Sequence, residues 1–223
     1  MNRNILVALG AAVIAAFGIG YWMSQGTTPD TPPALEQQAD TSAADSATTE
    51  VLEMVLGDEN APVTVVEYAS YTCPHCRNFH EQVFGELKAN YIDTGKIKFV
   101  YREVYFDKFG LWAGMIARCA GPDRYFGVTD LLYENQAEWL ASRNDAQIAA
   151  DLRKIGLSAG MTGEQLDACL ADGAKAQAMV EVFQANAEAD SVRSTPTFII
   201  DGESYTNMNY ADFSAILDER LGN

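Results

Sequence analysis

The sequence predicts an α/β fold, and three observations carry that prediction. First, the β-branched run Val63-Thr64-Val65-Val66 leads into Cys73-Pro74-His75-Cys76, after which Phe79, Val83, Leu87 and Tyr91 recur every fourth residue. That pattern is a strand handing over to a helix at Cys73. Second, residues 97–104 alternate apolar and aromatic side chains with Lys98 and Arg102 and read as another strand. Strand, helix and strand within about 40 residues imply a right-handed parallel unit. Third, a long helical pattern from Asp107 to about Asp190 separates this unit from a last apolar strand, Thr197-Phe198-Ile199-Ile200.

Taken in order, the chain opens with Met1-Asn2-Arg3-Asn4 and an apolar run from Ile5 to Met23. A basic start before an apolar stretch is an export signal, and about 19 apolar residues are enough to span a bilayer. Residues 1–23 are therefore expected to be an uncleaved signal anchor, with a cleaved signal peptide as the alternative. Residues 24–50 are Thr, Pro, Asp, Ala, Ser and Gln with almost no large apolar side chain, the composition of a disordered linker. Residues 51–223 are then the folded domain. Val51–Leu56 suits an edge strand or a short helix, and Gly57–Pro62 a turn. The helix after Cys73 is expected to end near Thr94-Gly95.

Within the helical stretch, periodicity predicts one helix around Leu111 and Met115. Others fall near Tyr125–Asn135, Asp145–Ile155, Thr162–Ala171 and Ala174–Ala189. Thr162-Gly163-Glu164-Gln165 has the form of a capping box. Asp201-Gly202 is a hairpin turn before Tyr205-Thr206, and Phe213, Ile216, Leu217 and Leu221 mark the apolar face of a closing helix.

Chemistry concentrates at Cys73 and Cys76. Two cysteines separated by two residues at a helix start can form a disulfide, and unpaired N–H groups with the positive end of the helix dipole favour a thiolate there. Cys73, nearer the helix start, is the expected nucleophile, and Cys76, one turn in, the resolving thiol. His75 is placed to donate to the Cys73 sulfur and to add positive charge, and Pro74 suits the first turn, where no N–H is needed. Two other readings are weaker. A zinc site needs about four ligands, and the chain has no second CxxC and only one other histidine, His80. A purely structural disulfide would close too short a loop to stabilise much. His80 reads as a surface or packing histidine. No metal site is expected, and no cofactor beyond the redox-active disulfide itself.

Glu67 lies inside a predicted buried strand, where a carboxylate costs several kcal/mol unless paired or protonated. Lys98 and Arg102 are the candidate partners. The net charge of −16 repels phosphate backbones and argues against nucleic-acid binding. Cys119 and Cys169 are a leftover even pair. In an oxidising compartment they are expected to bridge, two buried free thiols being the alternative.

Three features together resemble the DsbA-like branch of the thioredoxin superfamily: Cys73-Pro74-His75-Cys76, an acid six residues before the first cysteine (Glu67), and Ser194-Thr195-Pro196-Thr197-Phe198. The resemblance spans about residues 51 to 221. It implies a thioredoxin fold with an inserted helical subdomain (about 107–190) that caps the site. It also implies a cis-proline at Pro196 facing the sulfurs, with Thr195 presenting its backbone to substrate. The acid matching Glu67 assists proton transfer to the buried thiol. Some members carry a second disulfide between insert helices, the position of Cys119 and Cys169. The implied activity is oxidation of thiols in reduced or unfolded exported proteins, with reoxidation by a quinone-linked, DsbB-like membrane partner. The setting expected is periplasmic and tethered to the inner membrane, and the protein monomeric. Thr195 departs from the valine of the best-known oxidase, which keeps a reductase or isomerase open. A non-enzymatic binding or holdase module is the reading from another class.

Overall fold

The computed structural model describes residues 50–222. The expected anchor at 1–23 and all of the expected linker except Glu50 lie outside the described residues. Among the described residues no helix is long and apolar enough to cross a membrane.

Five strands form one sheet in the order β1-β3-β2-β4-β5: β1 (Met54–Gly57), β2 (Val63–Ala69), β3 (Ile97–Glu103), β4 (Thr197–Ile200) and β5 (Glu203–Thr206). β2 is central, parallel to β3 and antiparallel to β4, with Glu67 beside both Tyr101 and Phe198. Of the expected segment 51–56, residues 54–56 belong to the edge strand β1, which runs on to Gly57 and pairs antiparallel to β3, so the strand starts later and takes in the first residue of the expected turn. Asp201 (φ 47°) and Gly202 (φ 87°) take the left-handed conformations that a two-residue hairpin turn between twisted strands requires.

The helix after Cys73 departs from the regular α pattern. α1 (Pro74–Phe79) runs into a π-helical turn (His80–Phe84), a short α2 (Gly85–Leu87) and a second π-helical turn (Lys88–Ile92). The junction residues Phe79, His80, Phe84, Gly85, Leu87 and Lys88 are all right-handed helical, so the segments form one continuous rod. The run of Phe79, Val83, Leu87 and Tyr91 stays buried along it. π-helical turns widen a helix locally and are frequent at functional sites.

Six helices fill the segment between β3 and β4: α3 (Lys108–Cys119), α4 (Pro122–Glu134), α5 (Gln136–Trp139), α6 (Asp145–Ser158), α7 (Gly163–Ala171) and α8 (Gly173–Ala189). α7 starts with the capping box, the Thr162 hydroxyl accepting from the Gln165 N–H and the Gln165 amide oxygen accepting from the Thr162 N–H. α9 (Tyr210–Leu221) closes the chain, its Phe213 and Leu217 fully buried.

The pleat sorts β2 onto two faces. Val63, Val65 and Ala69 join the main core with α1, α3, α4, α6 and α9 residues, whereas Tyr68 packs with Val104, Ile199 and Phe183 on the other side. Glu67 shares the parity of the first group. The strand therefore aims one carboxylate into the main core, beneath the active-site helix.

Candidate active site

β2 ends at Ala69, and the chain turns through Ser70–Thr72 before the helix begins. The Cys73 N–H donates to the Ser70 carbonyl at 3.0 Å, and Cys73 itself is the extended N-cap residue of α1 (φ −85°, ψ 121°) with Pro74 in the first turn. The turn is fixed from the insert as well. The Gln136 side-chain amide donates to the carbonyls of Tyr71 (2.8 Å) and Cys73 (3.0 Å). Thr72 donates to Asp107 (2.8 Å), and the other oxygen of the Asp107 carboxylate caps α3 through the N–H groups of Phe109 and Gly110.

Cys73 and Cys76 are both free thiols, Cys73 partly exposed and Cys76 buried. The Cys73 sulfur lies 3.5 Å from the Thr195 carbonyl oxygen, and the Thr195–Pro196 peptide bond is cis. A hydrogen bond from the Cys76 thiol, foremost, holds the Cys73 thiol down at about 5 from its ordinary 9.0. The Thr195 side chain and the N–H groups of Cys76 and His75 add to this, and burial opposes it. Cys76 is driven the other way: burial first, then Cys73 and Glu67, push its thiol well up. One turn of helix thus carries a ready thiolate and a thiol that holds its proton. Their different surroundings cause the split.

Residue 75 is exposed, and its contribution to Cys73 comes from the backbone N–H rather than the imidazole.

Glu67 is fully buried, and its partner is neither Lys98 nor Arg102 but His80, whose Nε2 lies 3.1 Å from Oε2. The pleat explains the difference. Arg102 is in register with Tyr68 and Lys98 with Thr64, so both cations leave the sheet on the face opposite Glu67. Arg102 instead binds Glu53 (2.6 Å) and Asp190 (3.1 Å). His80, expected at the surface or in packing, has only 4% of its side chain exposed and stacks on Tyr133 with ring centroids 4.4 Å apart. Its position four residues after Cys76, on the same helix face, was the available signal. Gln136 carried none in the sequence.

Cys119 on α3 and Cys169 on α7 form a disulfide with a Cα–Cα separation of 6.1 Å. It ties two insert helices together, apart from Cys73 and Cys76.

With this geometry in place, comparison with other proteins gives concordant results. The family model described as Thioredoxin matches residues 49–219. A Rickettsia bellii protein named "Putative protein-disulfide oxidoreductase" is 34% identical over 76% of this chain and 64% of its own length. A Rickettsia felis protein of the same name is 32% identical over 86% of this chain and 69% of its own. The chain thus spans just under two thirds of the first of these relatives and slightly more of the second. The crystal structure of Wolbachia pipientis alpha-DsbA1 superposes with a TM-score of 0.72 at 24% identity, covering 79% of this chain and 94% of that one, a likeness of fold.

Proposed function

This chain belongs to the thioredoxin family, among the DsbA-like disulfide oxidoreductases, and from that premise we propose that it oxidises thiol pairs in exported proteins. The observation that carries the reading is the opposed pair of thiols. Cys73 is partly exposed and held as a thiolate, and Cys76 is buried and held as a thiol. A stabilised thiolate stabilises the reduced form, which makes the disulfide an oxidant.

The steps follow from that asymmetry. A substrate thiolate attacks Cys73 of the Cys73–Cys76 disulfide, the S–S bond breaks, and Cys76 leaves as a thiolate that takes up one proton. A second substrate thiol, having lost its proton, attacks the substrate sulfur of the mixed disulfide. Cys73 leaves as the thiolate its surroundings favour. Two electrons pass from the substrate dithiol to the enzyme pair. Glu67, beneath Cys76, serves the proton transfer, and the carbonyl of Thr195, held by Pro196, receives the substrate backbone as an added β-edge. Pro74 and the backbone of His75 keep the helix start in the geometry that stabilises Cys73.

Turnover requires reoxidation, which we assign to a quinone-linked, DsbB-like membrane partner. The setting we propose is periplasmic, with residues 1–23 as anchor and a monomeric working unit. No further cofactor enters these steps. The reductase or isomerase reading keeps one support, Thr195 before the proline.

Incubation of the oxidised protein with a reduced two-cysteine peptide tests the proposal. Stoichiometric peptide disulfide and reduced Cys73–Cys76 are expected, with no product from Cys73→Ser. A protein that leaves the peptide reduced yet rescues a scrambled disulfide substrate is an isomerase. One that binds unfolded chains equally well as Cys73→Ser is a holdase.

A further inference from the structure

The Glu67–His80 pair is more than a satisfied ion pair, because it is incompletely satisfied. Glu67 Oε1 and His80 Nδ1 are both buried without a hydrogen-bond partner. An unpaired buried polar atom costs about 1–3 kcal/mol, so two in one pair call for an explanation. His80 also opens the first π-helical turn and lines a cleft of about 390 Å³, together with Phe84, Gly85, Lys88, Asp130 and Tyr133. One edge of the imidazole therefore meets the carboxylate below Cys76, and the same ring forms part of a cleft wall.

We propose that His80 relays the proton of Cys76 between Glu67 and this cleft, so that the buried thiol exchanges protons without opening the active-site face that substrate covers. This inference rests on the disulfide-exchange reading above. When Cys76 leaves as a thiolate, a transient opening of the cleft wall lets a proton from the cleft reach the buried Nδ1, the Nε2 proton passes to Glu67, and Glu67 protonates Cys76. When Cys76 must attack Cys73 of a mixed disulfide during reoxidation, the reverse sequence carries the proton out. Each cycle moves one proton in and one out, so the ring returns to its starting tautomer without rotating.

The groups facing His80 suit this traffic. Glu67 comes from β2, Tyr101 from β3 and Tyr133 from α4, while Asp130 and Glu134 on α4 and Glu81 and Lys88 on its own helical rod line the cleft. Asp130 stands exposed on the cleft wall, where partial desolvation raises its carboxyl and the nearby His80 opposes the rise.

The test uses oxidised glutathione and the reduced protein with Cys119–Cys169 intact. Two rates are read: attack of Cys73 on glutathione disulfide, and first-order resolution of the Cys73–glutathione mixed disulfide by Cys76. His80→Gln keeps a donor to Glu67 but cannot relay a proton. Gly85→Phe fills the cleft from a position where an added Cβ meets nothing within 4 Å, and leaves the pair untouched. In both variants attack should be unchanged, while resolution at neutral pH falls at least about tenfold, the loss shrinking as pH rises and hydroxide substitutes for the relay. A loss under about threefold, or one equal at all pH values, in either folded variant overturns the proposal. If the unmodified protein forms no mixed disulfide at Cys73, the oxidoreductase reading itself fails, a separate result.

Discussion

The side-chain amide of Gln136 donates a 3.0 Å hydrogen bond to the carbonyl oxygen of Cys73, so a residue of the helical insert holds the first residue of the redox pair. The same amide nitrogen reaches the Tyr71 carbonyl at 2.8 Å, and Gln136 is only 3% exposed. The insert is thus part of the active-site scaffold. The thiolate is stabilised by amides whose positions depend on this turn keeping its shape.

Replacing Gln136 by Leu should therefore cost stability and chemistry together. The Cys73 carbonyl keeps its bond from the Arg77 N–H, but that of Tyr71 loses the partner it has in Gln136. The expected loss is about 2 kcal/mol in urea unfolding, the cost of one orphaned buried carbonyl. Slower alkylation of Cys73 at pH values between its lowered and ordinary pKa should accompany it.

Alkylation of Cys73 in the reduced protein should rise with pH around an inflection near about 5, where the Cys76 hydrogen bond and its helpers place the thiol. Because Cys76 is the largest contributor, Cys76→Ala should move that inflection up by at least about one unit. The sign for stability follows from linkage. A thiol lowered in the folded state adds stability that is fully present above its unfolded pKa of about 8.5 and is lost as pH falls through the folded value. Relative to Cys73→Ala, the reduced protein should thus melt progressively higher as pH is raised from about 5 to about 8.5. A constant difference in melting temperature across that window would contradict the assignment.

The Cys119–Cys169 disulfide closes a loop of 50 residues between α3 and α7. The double variant Cys119→Ala, Cys169→Ala should lose about 4 kcal/mol of unfolding free energy in the chain-entropy model. Cys73 reactivity should stay unchanged, since among the described residues the polar contact of the Cys119 sulfur is to the Gln165 carbonyl in the insert and not to the turn at Ser70–Cys73. A large drop in Cys73 reactivity without unfolding would instead couple the insert disulfide to the site.

Much of this molecule is legible in local patterns. The handover from strand to helix at Cys73, the capping box at Thr162 and the hairpin at Asp201-Gly202 are each written within a few consecutive residues. Glu67 stood out because a carboxylate interrupts a β-branched run. Its partner did not, because the face on which Lys98 or Arg102 emerges depends on the register of β2 against β3, and a one-residue shift reverses it. His80 looked ordinary because its burial depends on Tyr133 and Phe84 closing around it, and Tyr133 lies in the insert. Gln136 is 63 residues from Cys73, and nothing near it in sequence marks it as a brace. The π-helical turns were also hidden, since a repeat of four fits the apolar stripe of a regular helix equally well.

The most direct measurement is the reduction potential of the Cys73–Cys76 pair, equilibrated with glutathione in the Cys119→Ala, Cys169→Ala background. Thioredoxin pairs a nucleophile pKa of about 7 with roughly −270 mV, and DsbA one of about 3.5 with roughly −120 mV. A Cys73 pKa of about 5 lies between them. A value between about −120 and −200 mV is what a stabilised Cys73 thiolate predicts, and marks a pair poised to oxidise its substrates. A value near roughly −270 mV would mean that the thiolate is not stabilised in the reduced protein, and would contradict the oxidase reading.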